Sequence, residues 1–358
     1  MSKPSTVARG RGATANASGR FESLAREAFD DGWNDDDAAP TPLRTTVTAE
    51  AARTIITRND SPDVGFDRSI NPYRGCEHGC IYCYARPAHA YMGLSPGLDF
   101  ESRLFFKPNA ARLLEGELAG RFYRPATIHI GGNTDPYQPL EKRLRVTREV
   151  LEVLSAFNHP LSIITKSALI VRDLDILGPM GEAGLARAAV SITTLDRKLA
   201  RVMEPRAATP RRRLDAIRAL SAAGVPTIVM FAPVIPGLND AELEAVLSAA
   251  AAAGAQGAGY VVLRLPREIK DLFADWLTAN LPDRAARVMS LVRQMRGGRD
   301  YDPQWGRRMK GEGPIAELIA ARFKIARKRY GLDRTPPPLD VSRFRVPPRS
   351  GDQIDLFG

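Results

Sequence analysis

Residues 76–84 read CEHGCIYCY and hold all three cysteines of the 358-residue chain, Cys76, Cys80 and Cys83, spaced Cys-x3-Cys-x2-Cys. An odd count cannot be paired off in disulfides, and a reducing cytosol disfavours them anyway. A zinc ion normally takes four ligands, so a zinc reading needs His78 or His89 to complete the set. A thiol nucleophile needs one cysteine only, and buried structural cysteines have no reason to crowd together. Three thiolates on one short loop suit a [4Fe–4S] cluster whose fourth iron carries no cysteine. A metal with an open coordination position is a mark of catalysis rather than of structure.

Such a loop needs a rigid frame, and the sequence predicts one of alternating strands and helices. Apolar runs at 126–132, 161–166, 187–194, 225–234 and 257–266 read as strands, with a weaker one before Cys76. Between them lie segments of helical period: TREVLEVLSAF, LIVRDLDILGPM, PRRRLDAIRALSAAG and DAELEAVLSAAAAAG. Repeated βαβ units imply a parallel sheet. Six strands are too few for a closed eight-stranded barrel and suit an open, partial (β/α)6 barrel of TIM type. Functional residues then belong at the C-terminal ends of the strands.

Three further groups stand at such ends. GGNTDPYQPLE (131–141) offers Gly131 and Gly132 for close backbone approach, and Thr134 and Asp135 as acceptors for an ammonium, although the same composition favours a plain turn. Lys166 closes the third predicted strand, where a lone lysine is ordinarily solvated, and Ser191 lies near the end of the fourth.

The cysteine loop, with aromatic Tyr82 before its last cysteine, resembles the signature of the radical S-adenosylmethionine (SAM) superfamily over about residues 66–270. That resemblance implies a partial (β/α)6 barrel, a [4Fe–4S] cluster on Cys76, Cys80 and Cys83, and SAM chelating the open iron. It also implies reductive cleavage of SAM to a 5′-deoxyadenosyl radical, fed by an electron donor such as a flavodoxin or ferredoxin. The succession Thr134-Asp135, Lys166 and Ser191 is similar to the spore photoproduct lyase branch, where matching residues bind SAM. Lys166 would pair with the carboxylate of SAM and Ser191 would donate a hydrogen bond. Tyr82 and Tyr84 match that branch's tyrosines, and Tyr84 would then relay a radical. The chain departs from the lyase at Gly132, which stands where the lyase has its hydrogen-donating cysteine.

The ends of the chain read differently. Residues 1–45, rich in Ser, Ala, Gly, Asp and Arg, are predicted to form a disordered arm with a short helix near Phe21–Phe29. The barrel is assigned to 46–290, a basic helical extension to 291–333, and an extended, proline-rich tail to 334–358. The tail carries QIDLF, which resembles the pentapeptide that binds the bacterial sliding clamp, with Gln353, Leu356 and Phe357 as the contacts. A net charge of +10 favours a polyanionic partner. No run is long and apolar enough for a membrane span, and the N-terminus has no secretory h-region, so a cytoplasmic protein is expected. Together these point to a radical SAM enzyme of DNA repair or base modification. The alternatives are a radical SAM enzyme acting on RNA, protein or a small molecule, or a non-catalytic Fe–S or zinc module recruited to the clamp.

Overall fold

The computed structural model describes residues 10–22, 43–334 and 337–348. Its centre is a seven-stranded sheet of β2 (Ile56–Arg58), β3 (Arg68–Ile70), β6 (Ile128–Ile130), β7 (Leu161–Thr165), β8 (Ala186–Ser191), β9 (Thr227–Val234) and β10 (Gly257–Val262). The strand order is β10-β9-β8-β7-β6-β3-β2. All neighbours run parallel except β2, which is antiparallel to β3. The six parallel strands are the expected partial barrel, and β3 is the weak strand before Cys76.

Why these runs make strands is visible in their burial. Along β7, β8 and β9 fully and partly buried residues alternate. The row Ile70, Ile130, Ile163 and Ala188 stands in register across β3, β6, β7 and β8 and is buried in the core. The alternate row of Ile164, Ala189 and Ile228 faces a cavity inside the sheet's curve. Helices Val146–Ala156, Leu174–Glu182, Pro210–Ala222 and Leu243–Ala252 supply the crossovers, the third ending near Gly224 at φ 76°.

A second sheet joins β1 (Thr46–Ala49) parallel to β5 (Arg103–Phe106), with β4 (Tyr73–Arg74) antiparallel on the other side of β5. Its strands are too short to show a hydrophobic period. Helix Pro282–Gln294 runs across the domain boundary expected at 290, and helix Gly313–Arg329 buries Ala316, Ile319, Phe323 and Ala326 in the main core.

Residues 10–22, expected to be part of a disordered arm, are ordered. Arg11 to Thr14 are buried, and the Gly12 and Ala13 amides each donate to Glu101 at 2.8 Å. Composition misreads this strap because backbone hydrogen bonds, not apolar side chains, hold it. Only Phe21 and Glu22 of the predicted short helix lie within the described residues, and they sit in a turn and its flank. Residues 337–348 run along the base of the barrel: the Asp340 amide donates to Gly184 O at 3.0 Å and the Arg345 amide to Phe157 O at 3.0 Å. QIDLF lies outside the described residues.

The gap between β10 and β2 is bridged by the segment 304–310. The Val262 amide donates to Met309 O at 2.9 Å, the Gly306 amide to Asp63 Oδ1 at 2.7 Å, and Arg308 to Asp63 and Ser61. The expected C-terminal extension therefore closes the open side of the barrel.

Candidate active site

The cysteine loop follows β4. Gly75 at φ 73° and Gly79 at φ 67° provide left-handed turns, and an added Cβ on Gly75 would meet Leu104, His89 and Phe100 within 2.9 Å. The Cys76 amide donates to Phe100 O at 2.9 Å and the Ile81 amide to Met203 O at 3.0 Å. Gln138 spans the loop's start, accepting from the Glu77 amide at 2.9 Å and donating to Gly75 O at 3.2 Å. Arg86, fully buried, donates to Cys80 O, Pro96 O, Gly97 O and Gly79 O and pairs with Glu101. Five carbonyl and carboxylate partners fix one guanidinium, and the guanidinium fixes the loop.

All three cysteines are free thiols, Cys76 and Cys80 buried and Cys83 half-buried. Burial pushes each thiol up, Cys80 to about 12, and for Cys76 the neighbouring Asp135, Cys80 and Cys83 push in the same direction. Three thiolates here need cationic partners at short range. The backbone amides of Asp135 near Cys76, and of Ala85 and Arg86 near Cys83, pull those thiols the other way. The donor set thus fits an iron–sulfur core, whose thiolates commonly accept such hydrogen bonds. Among the described residues no three His, Cys, Asp or Glu side chains are placed to hold a single metal ion.

Cys80 and Cys83 open into a cavity of about 900 Å³ that also meets Gly131, Gly132, Lys166 and Ser191. Gly131 has φ 95°, and a Cβ there would lie 2.6 Å from Ile164 O, so only glycine fits. Thr134 donates to Tyr73 O at 3.1 Å. Asp135 ties the loop to the end of β7, accepting from Thr165 Oγ1 and the Lys166 amide, both at 2.7 Å, and from the Tyr137 amide at 2.9 Å. His78 Nδ1 lies 3.3 Å from its other side. Burial alone would raise the Asp135 carboxyl, but His78 and these donors hold it at about 2.

Tyr82 and Tyr84, on either side of Cys83 in the chain, have different partners. The Tyr82 hydroxyl is buried against Glu204 and lies 3.1 Å from Thr193 Oγ1, and Lys166 Nζ stands 5.7 Å from its ring centroid. Tyr84 is exposed to the cavity, donates to Gly132 O, and carries the Arg264 guanidinium 4.9 Å from its ring centroid. Glu204 also pairs with the buried Arg213, which donates to Ser191 O at 3.1 Å. Burial opposes the charge on Glu204, yet Arg213 and Lys166 keep its carboxyl at about 2. Sequence reasoning missed Arg86, Glu101, Glu204, Arg213 and Arg264, because single charged residues carry no spacing signal. Glu204 and Arg213 share the run MEPRAATPRRR, where one glutamate among arginines hints at a buried pair.

Residues 70–250 match the profile of the radical SAM superfamily. An uncharacterised protein of Mycobacterium tuberculosis is 37% identical over 284 residues, covering 79% of this chain and 80% of that one. An uncharacterised protein of Methanocaldococcus jannaschii is 30% identical over 176 residues, or 48% of this chain and 62% of that one. Among solved structures, a point mutant of spore photoproduct lyase superposes with a TM-score of 0.57 at 15% identity, covering 80% of each chain. Spore photoproduct lyase complexed with dinucleoside spore photoproduct superposes at 0.56 and 15%, covering 79% of each. The shared fold, the cysteine loop at the strand ends and the extent of these matches lead to one conclusion: the chain belongs to the radical SAM superfamily, enzymes that work with a [4Fe–4S] cluster and SAM.

Proposed function

We propose that this enzyme modifies or repairs DNA, with Cys76, Cys80 and Cys83 holding its cluster. The observation that carries the reading is one cavity onto which Cys80, Cys83, Lys166 and Ser191 all open. When bound and reduced, the cluster supplies the electron that cleaves SAM to a 5′-deoxyadenosyl radical. Gly131 and Gly132 admit the methionine part of SAM, the loop carrying Thr134 and Asp135 borders its ammonium with the Asp135 charge nearby, Lys166 pairs with its carboxylate and Ser191 donates a hydrogen bond. Tyr82 acts from below, as the ring over which Lys166 is held. The 304–310 bridge adds Arg308 and Met309 to the wall of the cavity.

For the substrate, a net charge of +10 supports a polyanion. A cavity of about 900 Å³ is near the upper end of the roughly 300–1,000 Å³ that small-molecule sites occupy, so part of a nucleotide fits beside SAM. A lyase of the same fold is solved with a dinucleoside photoproduct. Gly132 in place of a cysteine removes that route of hydrogen return, and Tyr84, whose hydroxyl meets Gly132 O, is the residue we assign to it. A flavodoxin or ferredoxin would supply the electron, and Gln353, Leu356 and Phe357 would tether the enzyme to the sliding clamp.

Anaerobic reconstitution tests the chemistry. We expect a [4Fe–4S] absorbance, 5′-deoxyadenosine formed on reduction with SAM, and transfer of label from tritiated DNA into it. Cys76→Ala is expected to lower SAM cleavage at least a thousandfold; one bound zinc and no cleavage in the parent protein would refute the assignment. Loss of Gln353 to Phe357 should abolish clamp binding without touching SAM cleavage.

A further inference from the structure

Two cations stand on the two tyrosines that flank Cys83, and their surroundings differ. The charge of Lys166 on the Tyr82 side acts on Cys80, Cys83 and Glu204, so it is balanced by the cluster loop. Arg264, two residues beyond β10, has no such balance. Among the described residues it forms no ion pair, its Nε is buried without a hydrogen-bond partner, and Nη1 meets only the Met309 thioether, at 3.3 Å. A thioether is a weak acceptor for a charged donor. Arg264 does act on Asp63, but that carboxylate already accepts from the Gly306 amide and Arg308. A like charge, Arg296, also acts on it, and that residue is buried and donates to Leu263 O and Arg307 O. Like charges side by side, with a desolvated donor left unpaired, are unfavourable until an anion enters. Arg264 borders the same cavity as Cys80 and Cys83, so the entering anion arrives with the substrate or with SAM. SAM brings a single carboxylate, and Lys166 is placed for it.

We propose that Arg264 is an anion-binding subsite for the substrate, holding a phosphate of the nucleic-acid strand whose reacting nucleotide enters the cavity. The inference deepens the DNA reading and rests on it for the identity of the anion. The Tyr84 ring fixes the guanidinium's distance from the cysteine loop, and with Nη1 on a weak acceptor and Nε on none the head keeps its capacity for phosphate oxygens.

Labelling of Arg264 by phenylglyoxal in the reconstituted protein, read by peptide mass spectrometry, tests this without turnover. We expect inorganic phosphate and a ten-nucleotide oligothymidylate each to slow labelling at least fivefold, and SAM to leave it unchanged. Protection by phosphate but not by the oligonucleotide would keep the anion subsite and remove DNA as its ligand. Protection by SAM alone, or by no probe, would overturn the proposal. In parallel, Arg264→Met keeps the stem over Tyr84 and removes the charge. Its oligonucleotide affinity should fall about tenfold and the salt dependence of binding by about one ion, with cluster absorbance and SAM affinity unchanged. Equal oligonucleotide affinities in the two proteins would also overturn it.

Discussion

Lys166 and Asp135 divide the work at the end of β7. The Asp135 carboxylate accepts the Lys166 amide at 2.7 Å, and the Lys166 side chain is left to stand over Tyr82. Removing the ammonium should therefore spare the backbone: Lys166→Ala is expected to weaken SAM binding at least tenfold while the cluster still assembles. Equilibrium binding beside the cluster absorbance checks this, and unchanged SAM affinity would refute the role. Asp135→Ala differs, because it strips acceptors from Thr165, Tyr137 and the Lys166 amide together, and should lower stability by about 3 kcal/mol. The cysteines, Gly131 and Lys166 could be singled out from sequence because spacing or strand-end position marks them. The partners of Asp135 could not, since nothing in GGNTD says that its oxygens are taken by β7.

At the level of elements, the strap 10–22 is anchored at its start by one buried side chain, with Asn16 bound to Asp99 and Ala17 O to Ser95 further along. Glu101 accepts the Gly12 and Ala13 amides and pairs with Arg86, while Arg11 donates to Glu101 O at 2.6 Å. Glu101→Ala leaves a buried guanidinium uncompensated and should cost about 3–5 kcal/mol. It should also free the strap, so that trypsin cuts after Arg11 well before the barrel is attacked; equal cleavage rates in variant and parent would sink this account. Strands β6 to β10 were legible because each is an apolar run bounded by turns. The strands β1, β2, β4 and β5 were not, since two to four residues with mixed burial show no period. The strap was misread for a related reason: low hydrophobicity predicts disorder only where hydrogen bonds do not substitute for burial.

For the whole molecule, acid is the expected weakness. Burial holds His89, His129 and His159 at about 4, below the usual 6.5, so they fold neutral. The unfolded chain takes up these protons first, and stability falls as the pH drops from about 6.5 to 4. At pH 5 each site has lost about 2 kcal/mol relative to pH 8. Asp135 and Glu204 extend the decline, since their stabilisation is full above their ordinary range and disappears as the pH falls through about 2. Urea midpoints at pH 8 and pH 5 measure the histidine part, and equal midpoints would contradict it. The strap has one more consequence, for assembly. Gly12 sits so close to Gly79, midway along the cysteine loop, that a Cβ on it would overlap the Gly79 carbonyl at 1.8 Å. The strap leaves the ribosome early, but its anchor Glu101 is made 89 residues after Gly12. Between those events that side of the cysteine loop stands uncovered, so the strap can close over Gly79 only after Glu101 has been made to receive it.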